Sequence, residues 1–181
     1  IHGCSYVSEQ IGRSIRYNMK YGNDWRFMSF KSWFKTGDMV DEEFSYHELP
    51  EKLDPFDNET FMKSKTKFYV TCANLETGGT EYLHLTDMFK EIDGIRASAS
   101  MPFVSRTVEF KGLKLLDGGI TDGIPLKKFL EMGYDKSIVV QTRIEGYRKR
   151  PSKLLNFFAR LKYNEYPKFV EAIRKRYKSY N

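Results

Sequence analysis

The sequence predicts an α/β fold, a sheet with helices packed on its faces, and three features predict it. A β-rich run, Phe68-Tyr69-Val70-Thr71-Cys72, turns through Glu76-Thr77-Gly78-Gly79-Thr80 into a second strand from Glu81 to Leu85. Leu115 and Leu116 end another strand against Asp117-Gly118-Gly119. Helical patterns with their own start and stop signals alternate with these strands, as they do in α/β sheets.

Taken in order, Cys4, Val7, Ile11 and Ile15 recur at helical spacing, with Gly3, Ser5 and Ser8 small enough to let that helix lie close to a sheet. The stretch from Asp24 to Phe34 is dense in aromatics (Trp25, Phe27, Phe30, Trp33, Phe34) and breaks at Thr36-Gly37-Asp38. It reads as a helix pair over the core or as a lipid-facing lid over Trp25–Phe34, because aromatics with one wet side suit an interface. Asp57 is placed to cap a short helix through Met62, and Asp87 to cap one from Met88 to about Arg96. A hairpin of Thr107–Phe110 and Leu113–Leu116 through Lys111-Gly112 leads to Asp117. Pro125 and Gly133 bracket a helix with Leu126, Phe129 and Leu130 on one face, and Ser137–Thr142 reads as the next strand. Asp122, just before that helix, reads as its cap.

Composition bounds the function. The 181 residues suit one domain with a sizeable core. No apolar stretch is long enough to span a bilayer, and Ile1-His2-Gly3 lacks the pattern of a secretory signal. Cys4 and Cys72 read as two buried free thiols, which fits a reducing, cytoplasmic setting. His2, His47 and His84 are isolated, so neither a metal site nor a Ser–His–Asp triad is expected, and no cofactor is implied. Glu76–Thr80 has glycines without a P-loop lysine and is a turn.

The net charge of +6 is uneven. From Arg143 onward 12 Lys/Arg face three Glu, a net of +9, which leaves −3 for the preceding residues. In this tail Arg148-Lys149-Arg150-Pro151 and Arg174-Lys175-Arg176 bracket Leu154, Leu155, Phe157, Phe158 and Leu161. Two readings stay open: an amphipathic pair on an anionic bilayer, or two helices packing their apolar faces on the core. No recognised nucleic-acid module accompanies the charge, and no nucleic-acid partner is expected. The chain divides into residues 1–150 and a basic helical tail, 151–181.

The richest stretch is Leu115-Leu116-Asp117-Gly118-Gly119-Ile120-Thr121-Asp122-Gly123-Ile124-Pro125. A carboxylate at a strand's carboxyl end, followed by glycines that let backbone approach a ligand, suits a catalytic acid. It also suits a tight turn capped by its own aspartate. Upstream, Arg96-Ala97-Ser98-Ala99-Ser100-Met101-Pro102 is built of small residues that permit close backbone approach, and Pro102 ends the helix before it. Ser98 and Ser100 have no local base and read as packing and hydrogen-bonding residues. Arg96 either meets a lipid phosphate or pairs with an acid.

This order of ASAS-x-P, hairpin, DGG, helix and strand resembles the patatin-like phospholipases, most closely their bacterial branch. The resemblance covers most of the chain. It implies a three-layer patatin-like sheet with helices on both faces and hydrolysis of phospholipid or other lipid acyl esters by a Ser–Asp dyad. It also implies Asp117 as the dyad acid, with Gly118, Gly119, Arg96 and Ser98 lining the substrate. The family's G-x-S-x-G elbow and its glycine-rich oxyanion loop are not in this sequence. The nearest match, Gly3-Cys4-Ser5-Tyr6-Val7, lacks the closing glycine, which leaves Ser5 a poor nucleophile. Gly123-Ile124 stand where family members commonly have asparagines. The expectation is a chain beginning just after its nucleophile, without its N-terminal strand and glycine-rich loop. Such a chain would be inactive alone and poorly stable unless another segment covers the exposed sheet edge. The alternative is a non-catalytic membrane-surface or partner-binding module on the same scaffold.

Overall fold

A computed structural model describes residues 19–21, 23, 24, 26, 29–140 and 146–180. The expected first helix, with Cys4 and Ser5, lies outside the described residues, as do Trp25 and Phe27. The chain forms two compact units: Ile1–Phe68 with Thr86–Ile92 and Pro102–Arg106, and Tyr69–Leu85 with Asp93–Met101 and Thr107–Asn181.

In the first unit, α1 (Phe30–Thr36) starts at Ser29, whose hydroxyl accepts from the Ser32 N–H. It ends at Gly37, which takes the left-handed φ of 85° that a C-terminal cap favours. Phe30 and Phe34 stand exposed on it while Ser32 is buried. A wide, π-type helix, Glu43–Leu53, buries Phe44 and Leu49, and α2 (Asn58–Lys63) is capped by Asp57 as expected. The Arg26 guanidinium lies 4.1 Å from the Phe44 ring centre and pairs with Asp24 at 2.9 Å and Glu48 at 3.1 Å. Buried Phe61 meets half-buried Phe56 and Phe68 edge-on, and exposed Phe89 borders Phe56. Asp87 caps only a turn, accepting from the Phe89 and Lys90 N–H groups; the helix expected from Met88 begins later, at Ile92.

The second unit is built on a four-stranded antiparallel sheet of order β2–β1–β4–β3: β1 (Phe68–Asn74), β2 (Thr80–Leu85), β3 (Val108–Phe110) and β4 (Leu113–Asp117). Together with its helices this is the α/β class that the sequence predicts. Lys111 (φ 51°) and Gly112 (φ 75°) make the two-residue turn between β3 and β4, with both residues left-handed as the twist of a tight hairpin requires. Successive strand residues point to opposite faces. Cys72, Ala73 and Asn74 of β1 and Leu115 and Leu116 of β4 are all buried, so both faces are covered where the two central strands meet. One cover is α3 (Ile92–Ala99), whose Gly94 lies so close that a Cβ there would stand 2.9 Å from Leu85 and 3.2 Å from Phe110.

Two more helices, α5 (Lys153–Lys162) and α6 (Pro167–Tyr180), form a hairpin that buries Ala159, Tyr163, Phe169 and Ile173. The Tyr163 and Phe169 rings meet edge-on at 5.1 Å. Gly78, at the tip of the β1–β2 turn, abuts the α6 backbone: a Cβ there would stand 2.5 Å from the Lys168 carbonyl oxygen. The tail's inner face is therefore packed, but of Leu154, Leu155, Phe157, Phe158 and Leu161 only Leu155 is less than exposed.

The strand expected at Ser137–Thr142 is absent from residues 137–140, and residues 141 and 142 lie outside the described residues. Ile138 and Val140 form no strand and stand open to solvent, 87% and 72% exposed. An apolar run becomes a strand only where a neighbour takes its backbone hydrogen bonds, and none of the described strands pairs with it. The helix expected between Pro125 and Gly133 forms as α4 (Leu126–Glu131); none of its residues is fully buried, and Phe129 stacks on Tyr134 at 4.5 Å.

Asn74 is the polar residue on which the β1–β2 turn depends. Its side chain, 2% exposed, accepts from the Glu76 N–H (2.9 Å) and Thr77 N–H (3.2 Å) and donates to Glu81 (2.9 Å). Asn74→Leu is expected to leave those groups unsatisfied and to cost about 1–3 kcal/mol, read as a lowered urea midpoint with an unchanged slope.

Candidate active site

Asp117 ends β4 directly opposite Cys72 of β1 in the antiparallel register, so the two side chains share the sheet face that α3 covers. The Asp117 N–H donates to the Ser100 carbonyl at 2.9 Å, which ties the strand end to the segment after α3. One carboxylate oxygen, Oδ1, accepts from the Gly119 N–H at 2.7 Å. A turn needs only one of the two oxygens, so this cap leaves Oδ2 without a donor among the described residues.

The glycines have separate reasons. A Cβ on Gly118 would stand 2.6 Å from the Thr71 carbonyl carbon and 2.6 Å from its Oγ1, closer than packed atoms come. Gly119 lies beside the carboxylate, where a Cβ would stand 3.1 Å from Oδ1. The Thr71 carbonyl also accepts from the Ser98 hydroxyl at 2.8 Å, so α3 and the turn after β4 converge on one peptide of β1. The structure therefore brings together Asp117, Gly118, Gly119 and Ser98. Ser100 turns its hydroxyl back to the Arg96 carbonyl at 2.7 Å. The Arg96 guanidinium pairs with Asp93 at 2.9 Å.

Asp122 differs from its expected role. Pro125, the residue before α4, has no side-chain cap, and Asp122 instead accepts from the Tyr82 hydroxyl at 2.7 Å. Burial and this carboxylate push the Tyr82 hydroxyl up to about 12. The Gly118 carbonyl accepts from the Thr121 and Asp122 N–H groups at 3.0 and 2.8 Å, and α6 packs on the same 3-10 turn, Gly118–Ile120. Tyr82 and Thr71 were the partners missed by sequence reasoning. Neither carries a local signal, since Tyr82 lies 40 residues from Asp122 and Thr71 contributes its backbone.

Cys72 lies behind the acid. Burial, then the charges of Asp117 and Glu81, push its thiol up to about 12. Among the described residues no group of three His, Cys, Asp or Glu side chains could hold a metal ion, and no helix is long and apolar enough to cross a membrane.

The order of parts around this acid has a counterpart among known proteins: the sequence model of patatin-like phospholipases matches residues 1–130. The chain belongs to the patatin-like phospholipase family. It is also 25% identical over 142 residues to the uncharacterized protein YjjU of Escherichia coli (strain K12), a match covering 76% of this chain and 39% of that protein. The chain thus spans well under half the length of this curated relative.

Two outcomes are expected. Gly118→Ala drives a methyl group into the Thr71 peptide and should lower stability by about 3 kcal/mol in chemical denaturation. With Cys4→Ser as background, Cys72 should react with an aromatic disulfide reagent at neutral pH only after unfolding. Its folded pKa is raised, so its contribution to stability is complete below the thiol's ordinary value of 9.0 and is lost as pH rises toward about 12. Cys72→Ala should flatten that alkaline decline in a denaturation series.

Proposed function

We propose that this chain carries the acid of a lipid acyl hydrolase in which a serine and Asp117 work as a dyad, the serine being supplied from a segment before Ile1. Family membership supports the reaction class. The observation that carries the residue assignment is the divided carboxylate: Oδ1 is held by the Gly119 N–H, while Oδ2 has no donor among the described residues. Fixing one oxygen sets the direction of the other and leaves it a lone pair for a hydroxyl proton.

In this mechanism the serine oxygen attacks the ester carbonyl as its proton passes to Oδ2 of Asp117. The tetrahedral intermediate collapses, and Asp117 returns that proton to the departing alcohol, leaving an acyl-enzyme. Water then attacks with its proton taken by Asp117, and the acid is released as the proton returns to the serine. A carboxylate acting without an intervening imidazole must lie within hydrogen-bond reach of the hydroxyl. Side chains at 118 and 119 would crowd that space. Backbone amides outside the described residues are assigned to the oxyanion. The substrate class is phospholipid or a related acyl-ester lipid, and no metal or organic cofactor takes part.

The natural gene product, extended before Ile1, is expected to take up one fluorophosphonate adduct on a serine in that extension, read by intact mass and peptide mapping. Asp117→Asn should keep the fold by circular dichroism, retain the Gly119 contact through its amide oxygen, and lower kcat on a short-chain p-nitrophenyl ester by about 10²–10⁴-fold. A folded product that takes no adduct, or an Asp117→Asn variant of undiminished kcat, would remove the assignment.

A further inference from the structure

The α5–α6 hairpin has an outer surface that the dyad does not use. On α5, Leu154, Phe157, Phe158 and Leu161 follow the i, i+3, i+4, i+7 spacing of one helix face, and all four stand 49% or more exposed. Ala159, at the opposite side of the same turns, is fully buried. An apolar stripe on the solvent side of a helix whose inner side already packs on the core is an interaction surface rather than misplaced core.

Its surroundings indicate what it meets. Between the segment before α5 and the two helices lies a cleft of about 240 Å³ lined by Lys149, Arg150, Arg174 and Arg176 with Tyr147 and Tyr177. Among the described residues no carboxylate lines it. Arg174 is held by Glu171 at 2.6 Å, and Lys175 reaches the same carboxylate at 3.0 Å; this pairing pulls Glu171 down to about 2. One acid thus orients two cations, Arg174 and Lys175. Lys153, Arg160 and Lys162 flank the stripe on α5 itself.

We infer that the outer face of α5 and the cationic cleft beside it together form a docking surface for an anionic bilayer, the stripe entering the acyl boundary and the cleft receiving lipid phosphates. A protein partner would need an acidic rim around an apolar groove. A bilayer rich in anionic lipid presents both chemistries over a plane without further shaping, and a basic helix with an exposed aromatic–leucine face matches it. The inference rests on the lipid-hydrolase reading for its purpose, which is to draw the enzyme to the surface where its substrate lies, but not for its geometry.

The test is co-sedimentation of the natural gene product with vesicles of phosphatidylcholine alone or mixed with phosphatidylglycerol. Binding to the mixed vesicles only is expected, weakening as salt is raised from about 0.1 to 0.5 M because screening shortens the reach of the cluster. Phe157→Ser with Leu161→Ser, and separately Arg150→Glu, should each lower the partition coefficient at least tenfold with unchanged circular dichroism. Turnover of a soluble ester should also stay the same. Wild-type protein that turns over the soluble ester yet ignores anionic vesicles would overturn the docking surface and leave the hydrolase standing. The reverse pattern, binding without turnover, would uphold the docking surface and remove the hydrolase. Variants that bind as well as wild type, or a dimer in sedimentation velocity that Phe157→Ser with Leu161→Ser dissolves, would also overturn it, the latter by assigning the stripe to a second copy.

Discussion

The second unit depends on one close approach: the backbone at Gly118 lying against the Thr71 peptide of β1. Because nothing but hydrogen occupies that space, β4 can run into its turn without leaving β1, and Asp117 stays in register with Cys72. The Ser98 hydroxyl takes the same Thr71 carbonyl, and the Ser100 carbonyl takes the Asp117 N–H, so α3 is fixed to both strands by side-chain and main-chain bonds. The Asp117 main chain is thus held through the Ser100 carbonyl, and its carboxylate through the Gly119 N–H. Preorganisation of this kind comes from contacts that cannot rotate away, which backbone provides better than long side chains do.

What could be read in advance follows the range of the forces involved. β1, β2 and the β3–β4 hairpin were legible because alternation, β-branched residues and glycine turns act within a few residues, and Asp57 was legible as a cap for the same reason. Around Asp117 the neighbouring residues leave a catalytic acid and a self-capped turn both open, and only the wider family resemblance favours the acid. Its opposition to Cys72 could not be read there, since that register is fixed by the partner strand. Asp122 shows the limit: its position before Pro125 satisfies the local rule for a cap, and a tyrosine on β2 prevailed. A hydrogen bond made in a partly buried place outweighs a cap made in water.

The Ile138–Val140 run failed as a strand for the opposite reason. Its local preference is strong, but a strand is a property of a pair, and apolar residues without a paired neighbour remain coil. The tail was ambiguous because it does two things. Phe169 and Ile173 face the core while Phe157 and Leu161 face water, and composition alone counts both sets as hydrophobic.

The contact between α6 and the Gly118–Ile120 turn also bears on how the protein is made. A ribosome adds about 5–20 residues per second, so β4 and its turn emerge seconds before residues 167–180 exist to cover them. During that interval Leu115, Leu116 and Ile120 have no complete core to enter. The acid's surroundings are therefore completed only after this later helix has emerged, and until then the DGG turn lacks the cover that α6 gives it.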